Sequence, residues 1–170
     1  MPAPTSHKPE SVLSRGVGSR PADEDGYELW LRYRPRPAAD QRRLRQRLGR
    51  IGWAAPDAPL VRSALAECQR ALGAMAGRTP VLERSTAGPA LLLATRAGVR
   101  RRRLPLADVT WHELGDEGYA LRTVRHGRQH LVVVAANGER GLLYGSFALL
   151  RALNTGVDLD ARSEEHTSEL

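Results

Sequence analysis

Three glycines, Gly138, Gly141 and Gly145, fall where one apolar run ends and a longer one begins. A glycine-rich strand-to-helix junction is where backbone N–H groups can cradle a phosphate. The spacing here is G-x-x-G-x-x-x-G. It meets neither the dinucleotide fingerprint nor the P-loop pattern, and no lysine follows. The sequence therefore assigns these glycines to a turn and to close helix–sheet approach. His126 and His130 are four residues apart, but they flank a turn at Gly127. With no cysteine pair to complete a zinc set, they do not make a metal site. His112 stands alone beside Trp111.

Acid–base chemistry needs carboxyl groups held in mutual geometry. Glu113, Asp116 and Glu117 cluster in a stretch that reads as a solvated connector entering a strand, and Asp158 and Asp160 come near the end of the chain. Ser146, in YGSFA, lies on an expected helix and lacks the strand–turn–helix setting of a nucleophile elbow. Cys68, the only cysteine, excludes an internal disulfide and sits on an apolar helical stripe, so it reads as a buried, inert thiol. No catalytic residue, cofactor-binding residue or metal ligand is assigned, and no cofactor is implied.

The elements that would position these residues follow from periodicity. Residues 1–24, rich in Pro, Ser and Gly, read as a disordered extension. Tyr27, Leu29, Leu31 and Tyr33 alternate as in a half-buried strand, ended by Pro35 and Pro37. Residues 38–50 suggest a short basic helix with Leu44, Leu48 and Ile51 on one side. After a loop at 55–59, Val61, Leu65, Cys68, Leu72 and Met75 form one helical stripe, with Pro59 suited to the first turn and Gly77 to the stop. Residues 81–85 and 90–95 read as strands around Gly88-Pro89, the second apolar throughout as if covered on both faces.

The arginines at 100–103 are expected in a loop, and residues 104–114 admit one short helix. A hairpin of residues 119–124 and 130–135 turns at Gly127. A final helix over 140–153 is apolar around much of its circumference, which predicts a sheet against one side and another domain against the other. The order β-α-α-β-β-(α)-β-β-α defines an α/β (α+β) layered sandwich with a mixed sheet.

The formal charge is +7 over 170 residues, and Lys8 is the only lysine. Arg42, Arg43, Arg45, Arg47 and Arg50 form one basic cluster and Arg100 to Arg103 another. Such patches can bind nucleic acid. Only eight aromatics occur, mostly within apolar segments, which leaves little for base stacking and disfavours that reading. No stretch resembles a signal-peptide core or a membrane span, so a reducing cytoplasm is expected. The last nine residues, RSEEHTSEL, read as an in-frame translation of a sequencing adapter. On that reading the natural frame was cut near Ala161 and the protein continued.

Several segments together resemble the N-terminal domain of bacterial alpha-glucuronidases, glycoside hydrolase family 67. DGYELWLRY is similar to the family's first strand, and LGDEGYALRTV followed by LVVVAANGERGLLYGSFALLRAL to its last hairpin and helix. The resemblance runs from Asp25 to Leu159, and the domain is placed at residues 25–161. It implies a hexosaminidase-like accessory domain that precedes a (β/α)₈ barrel in an inverting enzyme. Such enzymes remove 4-O-methylglucuronic acid from xylo-oligosaccharides. The barrel would be this domain's partner, and the resemblance allows for a homodimeric parent. None of the barrel motifs occurs here, so the chain itself is expected to be inactive. The alternatives are the matching domain of a hexosaminidase-like glycosidase and an arginine-rich nucleic-acid-binding module.

Overall fold

The structure, a computed structural model, describes residues 32–84 and 91–156 and the backbone of 164–166. The chain divides into two units, Met1–Leu31, which lies outside the described residues, and Arg32–Leu170. The strand expected around Tyr27 therefore falls largely outside the described residues, and residues 32–37 carry no strand. The Gly88-Pro89 turn also lies outside them.

The second unit runs α1 (Ala38–Leu48), β1 (Arg50–Ala54), α2 (Pro59–Ala76), β2 (Val81–Glu83), β3 (Leu91–Thr95), α3 (Arg96–Arg102), β4 (Tyr119–His126), β5 (Gln129–Ala136), α4 (Glu139–Asn154) and β6 (Glu164–His166). The sheet order is β2-β1-β3-β5-β4-β6. β1 pairs in parallel with β2 and β3, and β3 with β5; β4 and β5 form the antiparallel hairpin. β6 pairs antiparallel with β4 from Leu121 to Tyr119, so part of the stretch read as adapter lies along the sheet edge. The mixed α/β layered arrangement is the one expected.

α2 follows its stripe. Pro59 occupies the first turn, and Gly77 ends the helix at φ 66°, a left-handed conformation open to glycine. All five residues of β3 are buried, as befits a central parallel strand. Gly127, at φ 62°, opens the two-residue hairpin turn between His126 and Gln129.

Three sequence expectations are corrected. Ile51 belongs to β1, a strand the periodicity concealed, and not to the helix before it. The arginines at 100–103 are not a loop. Arg100 to Arg102 form the last turn of α3, and Arg103 caps it at φ 53°. The helix forms because Thr95 Oγ1 accepts a hydrogen bond from the Gly98 amide, Val99 anchors the turn, and arginine is a good helix former near a C-terminus. Residues 104–114 contain no helix. They cross the sheet as turns that bury Leu104, Leu106, Val109 and Leu114.

The sheet thus has two coats. On one face α4 lies across β4, β5 and β3, with α2 packed beside it and α1 against α2. On the other, α3 and residues 104–114 cover a cluster that includes Leu92, Ala94, Val133 and Ala135. The apolar second side of α4 is therefore covered by α2 of the same unit. Leu142, Leu149 and Leu153 are 0%, 1% and 6% exposed, so the side expected against another domain is covered within this unit.

Candidate functional site

The glycines behave as close-approach residues. A Cβ on Gly141 would stand 2.3 Å from the Gly118 carbonyl oxygen, and one on Gly145 2.7 Å from Val134 Cγ1. Gly138, the N-cap of α4, meets nothing within 4 Å and has extended backbone, so close approach does not explain it. His126 pairs in register with Gln129, and His130 with Arg125. The two histidines are thus on opposite faces of the hairpin, since side chains alternate along a strand. No metal-binding group of three ligands occurs among the described residues.

Glu113 lies 3.7 Å from exposed His112, and Glu117 lies 3.7 Å from exposed Arg140. These are water-facing pairs, not a carboxyl pair across a cleft. Asp158 and Asp160 lie outside the described residues. Ser146 is fully buried and donates to the Leu142 carbonyl at 2.8 Å, a back-bond within its own helix. Beside it, burial pushes the Cys68 thiol up to about 12, with a hydrogen bond to Ser146 only partly opposing, so the thiol stays protonated and inert.

Two carboxylates, Glu67 and Asp108, are each neutralised by a neighbouring arginine. Glu67, on α2, takes Arg70 at 2.7 and 3.0 Å, and Arg70 also sits 5.2 Å from the centre of the Tyr33 ring. Burial, followed by the Glu67 charge, drives the Tyr33 phenol far above its ordinary range. Arg122 donates to Asp108 at 2.8 Å and holds that carboxyl below the usual carboxylate range.

In open α/β sheets the ligand crevice lies beyond the C-terminal ends of the strands, where successive connections diverge. Here that position is between β1 and β3, and it is filled by the chain itself. Thr95 Oγ1 donates to the Ala54 carbonyl at 3.3 Å, and a Cβ on Gly98 would lie 1.7 Å from the same oxygen. Arg102 closes the adjoining β1–β2 gap. Its Nη2 donates to the carbonyls of Trp53 and Arg84 at 3.0 and 2.9 Å. Burial, and then the neighbouring charges of Arg101 and Arg84, lower its affinity for the proton. This second basic cluster is therefore partly a structural staple.

The first basic cluster contributes to a cavity. Arg45, Gln46, Gly49, Arg50, Arg78, Thr79 and Val81 enclose about 340 Å³ at the opposite, N-terminal end of β1 and β2. Arg45 Nη1 donates to the Ala76 carbonyl at the end of α2, at 2.9 Å, which holds α1 and α2 together at this rim. Arg50 pairs with Glu83 across the two strands at 3.3 Å. Arg78 and Thr79 were not singled out by the sequence, because they join the site only through the return of α2 to β2. What this arrangement can do is hold an anion. Among the described residues no carboxyl group lines the cavity.

The described residues thus form a mixed sheet coated on both faces, with the strand-end crevice filled by the chain itself. The family model described as "Glycosyl hydrolase family 67 N-terminus" matches residues 29–149, and the chain belongs to that family. Among solved structures, the chain is similar to one described as a novel family GH115 4-O-methyl-alpha-glucuronidase, BtGH115A, with specificity for decorated arabinogalactans. The identity there is 21% with a TM-score of 0.49, over 61% of this chain and 13% of that one. No curated protein matches the chain.

Proposed function

We propose that this chain is the N-terminal accessory domain of an alpha-glucuronidase. The parent would be an inverting hydrolase that removes 4-O-methylglucuronic acid from xylan-derived oligosaccharides, with its catalytic carboxylates on a separate (β/α)₈ barrel. The family match over residues 29–149 carries the reading. The carboxyl groups of Asp57, Glu67, Glu83 and Asp108 are each taken up by an arginine. An inverting glycosidase needs an acid and a base about 6.5–9.5 Å apart across the scissile bond. In barrel enzymes such groups come from the C-terminal ends of barrel strands.

The test compares two proteins on glucuronoxylo-oligosaccharides: this chain, and the same chain extended through whatever follows it in the source genome. The expected result is release of 4-O-methylglucuronic acid by the extended protein and none by this chain. Turnover by this chain, with contaminating enzyme excluded, would overturn the reading. So would an extended protein that carries no barrel-like βα repeats.

A further inference from the structure

We propose that the cavity bounded by Arg45, Arg50 and Arg78 is a binding site for a small hydroxylated monocarboxylate, of which a hexuronate is the type. The inference rests on the cavity's own charge and size. Only the choice of glucuronate as the first probe rests on the functional reading above.

Three guanidinium groups line one cavity, and among the described residues only one carboxylate, Glu83, pairs with any of them. Arg78 is exposed and makes no ion pair among the described residues. Each guanidinium has five N–H donors in a planar fork, so the bonds from Arg45 to Ala76 and from Arg50 to Glu83 leave most donors unused. α1 and α2 both end at this rim, at Gly49 and Gly77, and each helix end brings about half a negative charge. Against the three arginines and Glu83, those ends leave the cavity about one positive charge. That balance suits a carboxylate better than a dianion such as phosphate. A carboxylate can also take a bidentate bond from a guanidinium fork.

The cavity volume of about 340 Å³ is at the small end of the range for ligand sites, which runs from about 300 to about 1,000 Å³. It admits one sugar-sized group and not a wrapped polymer. Gln46 and Thr79 supply neutral donors and acceptors for hydroxyl groups, and Val81, 53% exposed, supplies an apolar contact on the edge strand. Arg78 and Thr79 follow the left-handed Gly77, so the turn that stops α2 also brings them to the rim.

The test is calorimetric titration of the full 170-residue chain with D-glucuronate, D-glucose and inorganic phosphate, at low and at high ionic strength. Glucuronate is expected to bind saturably, to weaken as salt rises, and to bind more tightly than either glucose or phosphate. Arg78→Gln is expected to weaken glucuronate about tenfold or more, since it removes a charged donor from the carboxylate. Arg78 is exposed, so the variant should unfold at the parent's temperature, which separates lost binding from lost folding. Arg62→Gln, which alters an exposed pair with Asp57 outside the cavity, should leave binding unchanged. The proposal is overturned by no glucuronate binding, by phosphate binding as tightly, or by Arg78→Gln binding like the parent. All three outcomes are independent of whether an extended protein cleaves glucuronoxylan.

Discussion

The two faces of the sheet are sealed in different ways. On the α2/α4 face, long helices present leucines at helical spacing and glycines that let the backbones close up. On the other face a seven-residue helix and a stretch of turns do the same job with four isolated anchors, Leu104, Leu106, Val109 and Leu114. Both coats exclude water from β3 and β5 equally well, since Leu91, Leu92, Leu93, Val133 and Val134 are all fully buried. Regular structure is thus one means of covering a sheet. Anchored turns are another, provided their backbone polar groups find partners. Asn137 supplies that provision here, because its Nδ2 donates to the carbonyls of Trp111 and Gly115 at 2.8 and 2.9 Å.

The largest effects should come from placing a methyl group where either coat touches the sheet. Gly98→Ala would drive a Cβ to 1.7 Å from the Ala54 oxygen, and Gly141→Ala to 2.3 Å from the Gly118 oxygen. Both obstacles are backbone, so neither can swing aside. Each substitution is expected to cost about 3 kcal/mol or more, at or beyond the upper end of overpacking effects. Urea unfolding of the two variants measures this. A near-neutral Gly98→Ala would mean that the turn-built coat yields where the helical one does not.

The next test compares anchors. Leu114 and Leu149 are 0% and 1% exposed, one on each coat. Truncation to alanine should cost about 2–5 kcal/mol at either position if both coats are equally close-packed. A loss below about 1 kcal/mol for Leu114→Ala would show a coat that collapses into the cavity it leaves.

The same contrast governs what could be read from the residues alone. α2, β3 and the hairpin were legible because each carries a clear local signal: the stripe from Val61 to Met75, the apolar run through Leu93, and the glycine turn at Gly127. β1 was hidden because Leu44, Leu48 and Ile51 continue a helical interval, and only pairing with β2 and β3 separates Ile51 from them. α3 was hidden because its arginines outweigh its one buried branched side chain, Val99. The turn-built coat has no period to find. Its anchors are chosen by the shape of the sheet beneath. The cavity was half legible. Arg45 and Arg50 stand in a visible cluster, whereas Arg78 reaches it only because β2 returns to pair with Arg50 through Val81.

A smaller effect concerns acid. Asp108 belongs to the turn-built coat and Arg122 to β4, and their bond ties the two. The carboxyl's folded pKa is depressed below the ordinary aspartate value of about 3.9, so the bond's contribution is present above that pH. It is lost as pH falls through the folded value. The Asp108 side chain is 62% exposed, which limits the contribution to that of a surface pair, about 0.2–1 kcal/mol. Asp108→Asn should therefore be slightly less stable than the parent at pH 6, and the two should converge as pH drops below the aspartate range. Persistence of the full difference in strong acid would assign the effect to packing and not to charge.

The smallest effect sharpens the helical side of the comparison. Gly138 precedes α4 with φ −137°, a conformation open to any residue, and a Cβ there meets nothing within 4 Å. The close approach that makes Gly141 and Gly145 obligatory does not apply. α4 also lacks a side-chain hydrogen bond at its N-cap. Serine, asparagine and aspartate accept from the first helical amides and improve on glycine by a few tenths of a kcal/mol, whereas alanine is worse. Gly138→Asp should accordingly raise the unfolding midpoint slightly, helped by the helix dipole, and Gly138→Ala should lower it slightly. Thermal unfolding of the pair decides the point. Equal losses for both would mean that the turn needs glycine for a reason other than space or capping, and the glycines of this junction would then act as one unit.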